Sequence, residues 1–168
     1  TKISQTPFKQ KFNSLKKLDT VKIKGPFGSF VLDESAKEVV LLGGGIGITP
    51  FRNMAKYASD KKSGAKIVLF YSNRTPENIV YREEWPVFEK QNPNFTLVNT
   101  VTDLPENADW EGKKGRIDEK MIREYVKDIN IPIYYICGPP AMVEGLSNLL
   151  ASIGVTKDKI RIEKFAGY

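Results

Sequence analysis

The residues best suited to chemistry are Gly43-Gly44-Gly45-Ile46-Gly47-Ile48-Thr49-Pro50, directly behind the apolar run Val39-Val40-Leu41-Leu42. A buried strand that breaks into glycines and then into a helix leaves the helix's first N–H groups available to an anion. Glycine lets the backbone approach a pyrophosphate and adopt φ > 0, which marks Gly44, Gly45 and Gly47 as candidate contacts. Thr49 suits the capping position and Pro50 the first helical position, where no N–H is needed. A second turn of this kind, Cys137-Gly138-Pro139-Pro140, follows the apolar run Ile133–Ile136. Two phosphate-type turns suit a dinucleotide, with Gly138 and Pro139 as further contacts.

Elements that hold these turns can be read around them. Phe51, Met54, Ala55 and Ala58 recur at helical spacing after the glycines. The strands expected are Val39–Leu42, Ile67–Tyr71, Phe95–Val101, Ile133–Cys137 and Ile160–Phe165, the last alternating and therefore at an edge. Between them, a helix is expected from Ile79 to Lys90, interrupted or restarted by Pro86. One capped by Asp118 buries Met121, Ile122, Tyr125 and Val126, and one carrying Met142, Leu146, Leu149, Leu150 and Ile153 ends at Gly154. Residues 103 to 115 read as a polar loop. Five strands with helical crossovers predict an α/β fold, a five-stranded parallel Rossmann-like sheet covered on both faces.

In such sheets ligands sit at the carboxyl ends of the strands, where the winding reverses. That rule brings the Ser72-Asn73-Arg74 loop beside both glycine turns. A ribose 2′-OH is held by an acid at the end of the second strand, whereas a 2′-phosphate needs a cation and hydroxyls. Ser72 and Arg74, with Arg82 further on, therefore point to NADP, with NAD the second choice; an exposed loop charge is the alternative for Arg74.

The N-terminal part reads differently. Thr6-Pro7 before Phe8, Phe12 and Leu15 predicts a short capped helix, Thr20–Lys24 alternates like a half-exposed strand, and Gly25–Phe30 is a tight turn. These pieces look like the end of a β-barrel whose beginning lies upstream. The polar stretch Asp33–Lys37 separates residues 1–36 from a nucleotide-binding domain at 37–168.

Composition narrows the chemistry. The 168 residues contain one cysteine and no histidine, which disfavours a disulfide framework, a four-cysteine cluster, zinc sites and hydrolytic triads. No metal site is expected. No apolar run approaches the ~20 residues of a membrane span, and no stretch reads as a signal peptide, so a cytoplasmic location without membrane insertion is expected. Seven lysines and one acid fall within residues 1–24, leaving 19 basic and 19 acidic residues elsewhere. That excess is either a solvated surface or a face for phosphates or an acidic partner. Nucleic acid fits less well, because the segment is lysine-only.

Taken together, GPFGSF, LLGGGIGITPF, YSNRTPENIVYREEW, ICGPPAMV and the terminal EKFAGY resemble the ferredoxin-NADP reductase family of flavin-dependent reductases: its nucleotide domain and the tail of its flavin barrel. The resemblance implies that Gly45, Gly47, Thr49 and Pro50 bind the pyrophosphate and that Cys137, Gly138 and Pro139 lie against the nicotinamide. It places Glu163 and Phe165 where nicotinamide and flavin meet, and Thr6 at the flavin pyrophosphate. Cys137, Glu163 and Phe165 are thus the candidate catalytic residues, with Cys137 packing and orienting rather than attacking. Tyr168 either stacks on a ring or frays. The family's Arg-x-Tyr-Ser/Thr flavin segment is absent from residues 1–168, so FAD is expected for a complete protein rather than for this chain alone. The implied activity is hydride transfer from nicotinamide to flavin. Electrons then pass to a carrier such as ferredoxin, flavodoxin or an oxygenase component. The alternative is a non-catalytic nucleotide-binding regulatory or docking subunit.

Overall fold

A computed structural model of the chain describes residues 6–25 and 27–165. Tyr168 and Pro26, which figured in the sequence reading, lie outside these residues. The chain divides into two compact units, one ending at Ser29 and the other beginning at Phe30, so the polar stretch Asp33–Lys37 belongs to the second.

In the first unit, helix α1 (Pro7–Asn13) starts as its sequence dictates. Thr6 caps it by accepting from the Lys9 N–H at 3.4 Å, with Pro7 in the first turn. Phe8 and Phe12, one turn apart, stack with ring centroids 6.4 Å apart and remain exposed. The strand expected at Thr20–Lys24 is not formed. Val21 and Ile23 are 52% and 89% exposed, and an alternating segment without a ladder partner gains nothing from extended pairing.

The second unit is a parallel sheet of six strands: β1 (Glu38–Gly44), β2 (Lys66–Asn73), β3 (Phe95–Val101), β4 (Lys113–Lys114), β5 (Ile133–Gly138) and β6 (Ile160–Lys164). Their order is β4-β3-β2-β1-β5-β6, one strand more than the five expected. The addition is β4, a two-residue pair of lysines inside the polar stretch 103–115. Its signal is not hydrophobic. Trp110 Nε1 donates to the Lys113 carbonyl at 2.9 Å and Thr100 Oγ1 to the Gly115 carbonyl at 2.7 Å, which lays the segment along β3.

Side chains alternate across the sheet and build two cores. Val39, Leu41, Leu69 and Tyr135 pack under α2 (Ile48–Asp60) and α3 (Trp85–Gln91). Val40, Leu42, Phe70 and Ile136 pack under α4 (Glu119–Tyr125) and α5 (Pro140–Ser152). Leu41, Leu42, Ile67 and Leu69 are fully buried, each contributing about 1.5–3 kcal/mol by burial. That continuous apolarity is what covering both faces of a parallel sheet demands.

Helix boundaries refine the sequence reading. Asp118 caps α4, accepting from the Met121 N–H at 2.7 Å, and Gly154 follows α5 with φ 99°. Before α3, a 3-10 turn occupies Pro76–Asn78, and the stretch expected to be helical from Ile79 runs as a turn through Glu84, with Tyr81 at φ 57°. The helix begins only at Trp85, with Pro86 in its first turn, where a missing N–H leaves no bond unmade. Thr49 does not cap α2. The backbone already winds as a 3-10 turn over Gly45–Gly47, Gly47 is the cap residue, and the Thr49 hydroxyl donates back to the Ile46 carbonyl at 3.0 Å. Pro50 consequently occupies the third helical position rather than the first, still among the N–H groups that need no intrahelical partner.

Candidate functional site

From β1 the chain winds outward through β2 and β3, and β5 and β6 lie on the other side of β1. The winding therefore reverses between β1 and β5, and both glycine turns sit at the carboxyl ends of those strands. The pairing of Gly43 with Cys137 holds them side by side.

Their contact is made of backbone. A Cβ on Gly47 would lie 2.2 Å from the Cys137 carbonyl oxygen and 2.7 Å from Gly138 Cα. One on Gly44 would lie 2.0 Å from Met142 Sδ, and one on Gly138 would lie 3.3 Å from the Gly44 carbonyl oxygen. Gly45 has φ 51° with open space around its Cβ direction, so it is required for conformation rather than for packing. No acidic residue stands in the first turn of α2, and the positive end of the helix dipole faces the glycines. The result is a glycine cradle at the start of α2, with Gly44, Gly45 and Gly47 in its wall, Thr49 and Pro50 in the first helical turn and Gly138 against it; its unpartnered N–H groups are of the kind that can take an anion.

At the ends of β5 and β6, three sequence-predicted residues come together. Cys137 is buried and pairs in register with Glu163 on β6. Burial, reinforced by the Glu163 charge, pushes its thiol pKa up to about 12, so it is a neutral packing group at physiological pH. The Phe165 N–H donates to the Gly138 carbonyl at 3.0 Å, and its ring packs on the core beneath α2. Pro139 is exposed and extended ahead of Pro140, which opens α5.

The ends of β2 and β3 form the third side. Ser72 pairs in register with Gly44 and with Thr100, placing its hydroxyl-bearing residue beside the glycine cradle. Arg74 is exposed, and its guanidinium lies 3.6 Å from the Asp103 carboxylate. The Asp103 N–H also donates to the Arg74 carbonyl at 2.7 Å. Arg82 lines a cleft of about 270 Å³ with Ile79, Asn99 and Trp110. Thr6, in the first unit, is engaged in capping α1.

Three further residues border this crevice without a local mark in the sequence. Asp103 lies two residues past β3, on a different strand's loop from Arg74. Met142 has the spacing of an ordinary core residue of α5, yet its Sδ lies against Gly44. Tyr71 has the pattern of strand interior, yet its hydroxyl reaches the Gly45 carbonyl at 3.2 Å.

Known proteins bear on this geometry. Residues 41–148 match the family model described as oxidoreductase NAD-binding domain. The chain is 34% identical over 158 residues to one subunit of the Na(+)-translocating NADH-quinone reductase of a Marinomonas species, covering 92% of this chain and 39% of that protein. The chain thus spans about two fifths of the length of the curated relatives it matches. Among solved structures, the cytochrome b5 reductase domain of Ulva prolifera nitrate reductase superposes with a TM-score of 0.81 at 26% identity, covering 94% of this chain and 66% of that one. The CS-b5R domains of human Ncb5or in their NAD+ form share the fold, with a TM-score of 0.81 at 24% identity over 96% of this chain and 47% of that one. With the family model spanning the glycine cradle and the Cys137 turn, the chain belongs to the oxidoreductase NAD-binding domain family, of the ferredoxin-NADP reductase-like type.

Proposed function

We propose that this chain is the nucleotide-binding half of a flavin-dependent reductase that takes hydride from NADH. The observation that carries the reading is the backbone contact between the Gly44–Gly47 turn and the Cys137–Gly138 turn at the point where the winding reverses. A contact that leaves no room for a Cβ at Gly47 keeps that cradle open to a pyrophosphate.

NADH is preferred to NADPH because Arg74 is already paired with Asp103. A carboxylate there can accept from the ribose hydroxyls, and it repels a 2′-phosphate while occupying the cation that would bind one. The expectation of NADP rests on Ser72, Arg74 and Arg82 near the end of a strand without an acid, whereas an acid from the next strand's loop, Asp103, lies against Arg74. A relative named as part of an NADH-quinone reductase supports the same choice.

Within this proposal, the nicotinamide supplies the hydride and a flavin accepts it. The chain's own residues bind and orient. Gly45, Gly47 and the start of α2 hold the pyrophosphate, while Ser72 and Asp103 face the adenosine ribose. Pro139 offers a small, uncharged surface to the ring, with the buried Gly138 and protonated Cys137 packed beneath it. Glu163 and Phe165 wall that surface at its open edge. The first unit, ending at Ser29, belongs to the flavin side, with Thr6 its contact, and a separate electron-carrier protein receives the electrons on the cytoplasmic side. Among the described residues, no helix is long and apolar enough to cross a membrane.

The alternative, a nucleotide-binding module without catalysis, draws on the first unit, whose described residues form no strand to complete a flavin barrel. Calorimetric titration of the chain with NAD⁺ and with NADP⁺ tests the proposal. Binding of NAD⁺ in clear preference is expected. Binding of neither nucleotide would remove the reading, and preference for NADP⁺ would remove the role given to Asp103.

A further inference from the structure

We infer that Tyr71 is a positioning residue for the glycine cradle, acting through its hydroxyl on the Gly45 carbonyl. The inference rests on the nucleotide-binding reading above. Tyr71 is fully buried on β2, paired in register with Gly43. Its hydroxyl donates to the Gly45 carbonyl at 3.2 Å and accepts from the Val80 N–H at 3.4 Å. On the other side of the same residue, the Val80 carbonyl accepts from Trp85 Nε1 at 3.1 Å.

This strut is built more firmly than a surface loop requires. Tyr81, next in the chain, has φ 57°, a left-handed conformation that a bulky residue keeps only where its surroundings hold it. The Arg52 guanidinium lies 4.9 Å from the centre of the Tyr81 ring and is bound to Glu84 at 2.6 Å. Arg52 belongs to α2, the helix that begins at the cradle. The path from Gly45 through Tyr71, Val80, Tyr81 and Arg52 therefore returns to the element it started from.

The carbonyl of Gly45 and the N–H of Ile46 share one peptide plane and point in opposite directions. The Gly45 oxygen accepts from the Ile48 N–H across the 3-10 turn, and a single backbone bond beside a residue with no side chain leaves that plane freer to tilt its oxygen toward an anion than two bonds do. The Tyr71 hydroxyl is the second donor to the same oxygen, holding it inward and with it the Ile46 N–H outward. Burial raises the Tyr71 pKa, so the phenol remains a neutral donor across the physiological range.

ADP-ribose is the probe, since it carries the pyrophosphate and lacks the nicotinamide. Tyr71→Phe keeps the ring and should weaken ADP-ribose binding about three- to tenfold, the range of one neutral hydrogen bond. The Ile46 amide resonance should lose most of its ligand-induced shift. Trp85→Phe also removes a buried hydrogen bond to Val80 but leaves the Gly45 carbonyl held, and should bind nearly as the unsubstituted chain does. In the unsubstituted chain, hydrogen exchange at the Val80 amide should slow when ADP-ribose binds; this readout stands even if Tyr71→Phe fails to fold. Equal affinity in Tyr71→Phe, equal weakening in both variants, or a Val80 amide indifferent to ligand overturns the inference while leaving the nucleotide reading intact. Failure of the unsubstituted chain to bind ADP-ribose overturns both.

Discussion

The two sides of the strand-end crevice are built by different means. Where β1 meets β5, the wall is mostly backbone: Gly47 presses against the Cys137 carbonyl, and Met142 packs against Gly44. Where β2 meets β3, it is made of side chains: the half-buried Ser72, and Arg74 and Asp103, which are joined by an ion pair 3.6 Å long between highly exposed groups. The first side is rigid because steric exclusion admits no alternative. The second is adjustable, because a surface ion pair contributes little and reorganises readily. Under the proposed function, the pyrophosphate common to all dinucleotides falls to the rigid side, and discrimination between them to the adjustable one.

The largest test of this contrast is Gly47→Ala. Its Cβ would meet the Cys137 carbonyl at 2.2 Å, so β1 and β5 must separate, and a loss of about 3 kcal/mol or more in urea unfolding is expected. Gly44→Ala meets an equally close atom, but that atom is Met142 Sδ at 2.0 Å, the end of a flexible side chain. It should cost about 1 kcal/mol. Equal losses in the two variants would show that Met142 is as fixed as the backbone.

On the adjustable side, Asp103→Asn releases Arg74 and removes the repulsive charge. The ratio of NADP⁺ to NAD⁺ affinity should rise about tenfold in calorimetry, the effect of one new charge-assisted hydrogen bond from Arg74 to the 2′-phosphate. The unfolding midpoint should not move. A shifted midpoint with an unchanged ratio would mean that the pair supports the fold instead of choosing the ligand.

Cys137 adds a pH dependence to the rigid side. Its thiol titrates at about 12 in the folded chain but near 8.5 when unfolded. The folded state therefore retains a proton that the unfolded state loses, and stability falls as pH rises from the lower value toward the upper. The slope from this group approaches about 1.4 kcal/mol per pH unit. Cys137→Ala should flatten the alkaline decline in unfolding free energy between about pH 9 and 11. An identical decline in both proteins would assign it to other groups. The smallest effect expected is Arg74→Ala, which should leave the unfolding midpoint unaltered while changing only nucleotide affinity.

How far each side could be read from the sequence follows from the same contrast. Backbone-built features leave local marks: apolar runs for β1, β2 and β5, glycines at Gly45 and Gly47, a proline opening α5. Each lies within a few residues of what it specifies. Features that require two distant segments leave no such mark. The partner of Arg74 lies on another strand's loop, and the strand at Lys113–Lys114 is defined by hydrogen bonds to β3 rather than by its own composition. Thr49 shows a subtler failure. Threonine before proline is a sound capping signal, but the preceding glycines had already begun to wind, so its hydroxyl was used in the opposite sense. The strand expected at Thr20–Lys24 failed because alternation describes a face and cannot supply the neighbour that covers it.

The outer strands of the sheet have a consequence for the molecule in a crowded solution. At one margin, β4 is only two residues long and both are lysines. At the other, β6 presents Arg161, Glu163 and Lys164 around a half-exposed Ile162. A second molecule approaching either margin meets like charge or too short a ladder to add a strand of its own. The margins of this sheet therefore resist growth by stacking onto copies of the same chain.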